Sequence, residues 1–414
     1  MAVLTGASVY PGWWDQQTMS LAAPAGPEST DGTRAAAPSV VRLGLGETTR
    51  YYLYYMAEEK PKSGTIGKTR ILRTEMRGPE PGKPRPANVA LEFHGPVVPA
   101  PKRYGTDYYK LGPYFAAITP ALDAKGEPVR APDGVFEPWF MYIATAGNNV
   151  GVAISRDGGV TFALPGEEGV NPLFPFEVFA DPSGKPGYRR HPVESQSKLY
   201  DQSGAGSAAT VRTADGKHHM FYTARMWNYH SYDDLGVTAR QVGHPDGKIP
   251  NYGIAYAESV DGVRWRRRTS VSRRVISPAA RGTGRLIDPR FHHAGDDQFE
   301  YCVTRPTVFE DGKDPKTGRP RYRMMVSSHS RTYRFRSLHS FDLYNWYWDA
   351  SPAEGLFGFG KKGAFDDEST TYATCTRVNE HPRDRYHCWY TGNRYGHVSA
   401  GRTGIGYCTK PVDN

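Results

Sequence analysis

Acidic, basic and aromatic side chains gather just ahead of five short apolar segments of this chain. Asp31 and Arg34 precede or open the first, with Asp15 farther upstream, and Asp107, Tyr108 and Tyr109 precede the second. The third follows Glu194, Gln196 and Asp201, and the fourth follows Asp288, His292, His293 and Glu300 and begins at Arg305. Asp366, Asp367 and Glu368 lead into the fifth. Carboxyl groups whose surroundings push their pKa values apart can act as general acid and base. An arginine at a strand start can grip a carboxylate or phosphate with two parallel N–H bonds, or pair with a nearby acid such as Glu368. His292 and His293 are adjacent, so strand alternation sends them to opposite faces, and one could serve as acid, base or ligand. They lack the spacing of a zinc motif, and a surface loop accounts for the pair equally well. Trp13, Trp14 and Trp227 could stack on a sugar or another planar ligand, or simply cap a core.

These residues need a scaffold, and the chain supplies one by repetition. Five aromatic-rich segments recur: YYLYYMA (51–57), PWFMYIATAG (138–147), HMFYTAR (219–225), YRMMVSSHSR (322–331) and YHCWYTGN (386–393). Each follows a short apolar segment and a polar turn. Four precede a further strand: VGVAISRDGGVTF, YGIAYAESVDGVRW, FRSLHSFDLYNW and GIGYCTK. The first is followed by a weaker copy, ILRTEMRG. An order of strand, turn, strand, connection, strand repeated five times predicts an all-β, five-bladed propeller with four-stranded antiparallel blades. Long Pro/Gly-rich stretches at 78–86, 165–190, 226–250 and 311–320 read as loops between strands. Ser155/Asp157/Phe162, Ser259/Asp261/Trp265 and Ser340/Asp342/Trp346 repeat one turn motif. Its aspartates suit backbone N–H capping rather than catalysis. Gly204–Ala209 imitates a dinucleotide fingerprint but precedes a strand, so no helix end is available for a phosphate.

The 414 residues include 45 Gly, 33 Pro and 13% aromatics, a composition of turns and short strands. No apolar run approaches the ~18 residues of a membrane span, and no secretory leader is legible. The formal charge of +9 is dispersed except at Arg264–Arg268. With no nucleic-acid module around it, that run fits a solvated strand edge. Cys302, Cys375, Cys388 and Cys408 sit in strand-like stretches without a CxxC pair, which predicts free core thiols and a cytoplasmic location.

The phrases YGIAYAESVDGVRW, RPTVFEDGK…YRMMVSSHS and WYTGNRYG…GIGYC resemble five-bladed propeller glycoside hydrolases of the family 43 and 32 type, over about residues 35–410. SRDGGVTF also resembles the Asp-box of sialidase-type propellers. The resemblance implies a substrate funnel at the starts of the innermost strands, with Asp31 or Asp15 as base, Asp107 as orienting carboxylate and Glu194 as acid. The first-blade signature of that family is missing. The expected organisation is one propeller over 35–414, with residues 1–34 completing the ring or lining the funnel. The expected activity is glycosidase-like, with Glu194, Asp107, Asp31, His293 and Glu368 as candidate catalytic groups. Arg305, Tyr108, Tyr109, His292 and Trp227 are candidate substrate contacts. Partners are a sugar or other small molecule, not nucleic acid or membrane. No cofactor is expected, apart from a channel cation of the Ca²⁺ type found in some relatives. A lyase, cyclase or isomerase using His, Tyr and Arg on the same scaffold is the alternative, and a non-catalytic sugar binder the third reading.

Overall fold

The structure, a computed structural model, describes residues 16–22, 34–58, 69–77, 92–96, 113–145, 150–165, 204–225, 252–267, 291–292, 299–300, 302–329, 333–349, 356, 366, 369–378, 385–392 and 404–412. These form an almost wholly β protein, whose one helical turn in the described residues is a 3₁₀ piece at Gly46–Thr48. Among the described residues, no helix is long and apolar enough to cross a membrane.

Strand β1 (Gln16–Ala22) opens the chain. A first sheet follows in chain order: β2 (Arg34–Leu43), β3 (Arg50–Glu58), β4 (Thr69–Arg77) and β5 (Glu92–Pro96). The second comprises β6 (Pro113–Thr119), β7 (Trp139–Thr145) and β8 (Val150–Ser155). The third comprises β9 (Gly204–Arg212), β10 (His218–Arg225), β11 (Tyr252–Ser259) and β12 (Arg266–Arg267). A short ribbon of β13 (Phe291–His292) and β14 (Phe299–Glu300) precedes the fourth sheet. That sheet holds β15 (Cys302–Lys313), β16 (Pro320–His329), β17 (Tyr333–Ser340) and β18 (Tyr347–Trp348). The fifth is β19 (Thr370–Val378), β20 (Arg385–Gly392) and β21 (Gly404–Pro411), with β1 added outside β21. All pairings are antiparallel. The first strands of the five sheets neighbour one another in a closed circuit, β2 to β6 to β9 to β15 to β19 and back to β2.

The core is correspondingly divided into wedges between adjacent sheets. Tyr54 and Met56 meet Trp139 and Phe162, Tyr142 and Val152 meet Met220, and Phe221 and Tyr256 meet Met324 and Trp346. Met325 and Phe335 meet Tyr386 and Tyr390, while Tyr51 and Leu53 meet Trp389 and Tyr407. A strand pressed between two neighbouring sheets is buried on both faces. That is why β3 and its counterparts read as unbroken aromatic and aliphatic runs rather than alternating ones.

Each first strand carries one bulge near its start. The extra residue is Ala37, Phe115, Ser207, Arg305 or Tyr372, at φ of 53, 46, 34, 55 and 54° respectively. A left-handed residue in a strand adds twist and re-aims its side chain. Hydroxyl groups of the preceding sheet catch three of these backbone N–H groups. Ala37 donates to Thr391 (2.8 Å), Arg305 to Thr223 (2.8 Å) and Tyr372 to Ser327 (3.2 Å). Thr391, Thr223 and Ser327 each pair with the residue just before their own sheet's bulge. The matching residues of β3 and β7 are Met56 and Ala144, which have no hydroxyl to offer.

The three Ser–Asp turns are structural. Ser155 Oγ donates to Asp157, whose Oδ1 accepts the N–H groups of Val160 and Thr161. Asp261 accepts from Val263 and Arg264, and Asp342 from Tyr344 and Asn345. Each turn then clasps the sheet before it. Tyr54 donates to the Gly159 carbonyl and Tyr142 to that of Gly262, both at 2.8 Å. Phe162, Trp265 and Trp346 pack edge-on against Tyr54, Tyr142 and Phe221. Arg266 and Arg267 of the basic run form β12, the outermost strand of its sheet, and Arg264 is exposed beside Asp261.

Three expectations need correction. The second sheet has three strands among the described residues, because past its turn the chain returns to β8 through a single bridge, Ile154 with Ala163. The stretch 311–320 is no long loop: β15 runs to Lys313, and Asp314 caps a tight turn by accepting the Lys316 N–H at 2.8 Å. Cys375 and Cys388, direct partners across β19 and β20, form a disulfide rather than two free thiols. Cys302 and Cys408 are buried and form no disulfide. Residues 78–86, 166–190 and 226–250 lie outside the described residues.

Candidate functional site

The five bulges meet at one place. A cleft of about 310 Å³, counting the solvent at its mouth, is lined by Ala37, Phe115, Ser207, Arg305 and Tyr372 and by the small residues that follow them. The followers are Pro38, Ala116, Ala208, Pro306 and Ala373. Their small size keeps the circuit of first strands open, and proline is admissible at two of them because a bulge leaves an N–H without a ladder partner. The cleft therefore lies two or three residues into each first strand, on the axis of the circuit.

Its chemistry is aromatic and cationic. Phe115 and Tyr372 stack with centroids 4.7 Å apart and planes 17° apart. The Arg305 guanidinium lies 3.9 Å from the Tyr372 centroid, 4.9 Å from that of Tyr333 and 5.4 Å from that of Phe115. A cation held on ring faces is attracted by their quadrupoles and needs less water. The one side-chain hydrogen bond of Arg305 among the described residues is long, Nη1 to Thr304 Oγ1 at 3.4 Å. No described carboxylate pairs with it. The polar side-chain groups of the described lining are the Ser207 and Tyr372 hydroxyls and the Arg305 guanidinium. Among the described residues no three His, Cys, Asp or Glu side chains cluster as metal ligands.

Other buried polar groups lie toward the far ends of the strands and saturate one another. Glu258 accepts from Lys217 (2.9 Å), Tyr256 (2.9 Å) and Tyr344 (2.7 Å), with His219 Nδ1 2.6 Å from Tyr256 Oη. Burial, and then the Lys217 charge, lowers the His219 pKa and keeps the ring neutral. Asp311, fully buried, accepts from Arg323 (3.0 Å) and Tyr386 (2.7 Å) and neighbours Arg321 and Arg377. Arg323 also reaches Asp349 at 2.7 Å. The Cys408 thiol is pushed well up by burial, and further by Asp366, so it is no nucleophile. Asp366 is itself buried and accepts from Tyr390 at 2.8 Å.

Of the candidate catalytic groups and substrate contacts read from the sequence, Arg305 alone has a described side chain, and it is in the cleft; Asp366, at the fifth segment, is buried against Tyr390 instead. His292 lies in β13 opposite Phe299. Asp31, Asp107, Tyr108, Tyr109, Glu194, Trp227, His293 and Glu368 fall outside the described residues. Sequence reasoning missed Phe115, Ser207, Tyr372 and Tyr333. The repeat held a signal for the first three: in all five copies the bulge residue is followed by Ala or Pro, a register visible once the copies are aligned on Arg305-Pro306.

No family model matches the sequence, and no curated protein matches it. Solved structures do. One described as a glycoside hydrolase superposes with a TM-score of 0.55 at 16% identity, over 98% of this chain and 93% of the other. A second, a BT0996 RGII complex, gives 0.51 at 15% identity, over 98% and 92%. A thermostable family-43 glycoside hydrolase gives 0.45 at 12%, over 91% and 88%. At such identities likeness carries the fold and not the activity. The chain is thus a divergent protein of the glycoside-hydrolase-like propeller fold, in agreement with the resemblance of its repeated strand phrases.

Proposed function

We propose that this protein is a carbohydrate-processing enzyme of glycosidase type, built as a five-bladed propeller of nominally four-stranded blades over residues 35–414. Its chemistry is carboxylate acid–base catalysis in the central funnel, with Glu194 as proton donor and Asp31 and Asp107 as its partners. The observation that carries this reading is the cleft on the axis of the five first strands, near their N-terminal ends. In the chain, Asp31, Asp107 and Glu194 precede β2, β6 and β9, the first strands of three successive sheets. The full-length superposition on a glycoside hydrolase supports the same reading. Glycoside hydrolysis needs two carboxyls roughly 5–9.5 Å apart, the separation deciding between retention and inversion. No cofactor enters this scheme.

The test is a panel of aryl arabinofuranosides, xylosides, fructosides and mannosides, assayed with wild type and Glu194→Gln. Turnover by wild type and a loss of about a hundredfold or more in the variant is the expected result, within the ~10²–10⁴ that acid–base catalysis contributes. Silence across the panel removes the glycosidase reading. A second reading is favoured by one observation, an arginine without a carboxylate partner among the described residues at the cleft. On it, the scaffold serves a lyase, cyclase or isomerase of an anionic intermediate, with histidine or tyrosine transferring the proton.

A further inference from the structure

We infer that the cleft recognises a carboxylate-bearing sugar, a uronic acid residue of its substrate, and that Arg305 is the residue that selects it. The inference names the substrate class of the proposed carbohydrate site and rests on that reading. Arg305 is the one charged side chain in the described lining. By contrast, Arg323 pairs with Asp311 and Asp349, Lys217 with Glu258, and Arg73 with the Gly159 carbonyl. The guanidinium of Arg305 instead rests on Tyr372, flanked by Tyr333 and Phe115, and spends one long bond on Thr304. Its remaining N–H groups have no acceptor among the described residues. Aromatic walls exclude water, which strengthens whatever charge interaction forms there.

The arginine is also held still. Its backbone N–H is fixed on Thr223 of the preceding sheet, and that of Tyr372 on Ser327. The ring and the cation stacked on it are thus anchored from two different sheets, the preorganisation that recognition of a single group requires. Left-handed backbone recurs at all five bulges and belongs to the ring. The side chain distinguishes this copy, since the other four bulge residues are Ala37, Phe115, Ser207 and Tyr372. A single planar fork with one positive charge matches a planar carboxylate monoanion better than a phosphate dianion.

The experiment is titration calorimetry of the full chain with the methyl glycosides of galacturonate and glucuronate, against those of galactose and glucose. A uronate is expected to bind at least about tenfold tighter than its neutral counterpart, a gap that shrinks with added salt. In Arg305→Asn, whose side chain tolerates positive φ, the gap collapses. In Arg305→Lys, which keeps the charge and loses the fork, part of it survives, and both variants are checked by thermal melting. Equal binding of acidic and neutral sugars overturns the inference. So does a gap that survives Arg305→Asn, a preference for galactose 6-sulfate, or inorganic sulfate competing as well as the uronate. Hydrolysis of neutral aryl glycosides with no uronate preference leaves the enzyme reading standing without this one. Uronate binding without turnover does the reverse.

Discussion

The hydroxyl of Thr223 has a larger job than its size suggests, because it holds the backbone of a cleft residue that belongs to another sheet. Arg305 has φ +55° and precedes Pro306, which disfavours compact backbone in the residue before it. Such a conformation persists where its surroundings over-determine it. Thr223→Val keeps the shape of the side chain and deletes the acceptor. It is expected to cost about 1–3 kcal/mol, the range for an orphaned buried donor, read by urea denaturation. It should also weaken any ligand that depends on Arg305. Thr145→Val, which lies one residue beyond the latch position on β7 that Ala144 fills without a hydroxyl, should leave that ligand's affinity unchanged.

The Ser–Asp turn works as an element, joining a blade's outer half to the wall of its neighbour. Asp261 caps the N–H groups of Val263 (2.8 Å) and Arg264 (2.7 Å), and Gly262 presents its carbonyl to Tyr142. Asp261→Ala is expected to destabilise by about 1 kcal/mol through the lost caps. Gly262→Ala should cost more, since φ is +74° and a Cβ there would come within 2.8 Å of the Phe140 ring. Denaturant midpoints of both variants against wild type check the order, and equal or reversed costs would contradict the clasp. Neither variant should alter catalysis, because these aspartates stand at the ends of β8, β11 and β17, remote from the bulges.

Across the whole molecule the circuit of first strands closes where β19 meets β2, and β1 adds to β21 as the outer strand of the fifth sheet, from Gln16–Thr409 to Ala22–Gly404 with one shift of register after Met19. Its stability should depend on acid in two windows. Burial, reinforced by Arg212, lowers the His218 pKa from 6.5 to about 4. The folded state thus resists a proton that the unfolded chain accepts. This contribution is complete above pH 6.5 and is lost as the pH falls toward 4. Burial pushes Asp349 up, but His339, Arg323 and Ser337 outweigh it and leave its carboxyl below the ordinary range. Asp157, Asp261 and Asp342 end likewise below it, where backbone and hydroxyl donors outweigh burial. Their contribution is present above the usual carboxylate value of 3.8 and disappears below it. Melting temperatures from pH 7 to 4 should fall for wild type and fall less for His218→Gln. A flat profile in wild type would refute the assignment. The disulfide bears on this scale too, because it ties β19 to β20 across the strand pair, where the sequence predicts four unpaired thiols.

Repetition makes the strands legible from the sequence. The aromatic runs are β3, β7, β10, β16 and β20, and the three Ser–Asp turns cap backbone as their spacing implies. Local pattern suffices there, because a strand pressed between two sheets must be apolar on both faces and a tight turn must satisfy its own N–H groups. Arg305 is legible as a polar residue at a strand start, but its partners are not. Phe115 lies 190 positions before it and Tyr372 67 positions after it in the chain, and they meet only because the ring closes. The cross-strand disulfide is hidden for a related reason: Cys375 and Cys388 become partners through the β19–β20 register, which a bulge at Tyr372 shifts by one residue. Sequence by itself determined which segments are strands and which turns hold them. Only the tertiary structure decided which five residues face one another on the axis, because that depends on bulge register and ring closure.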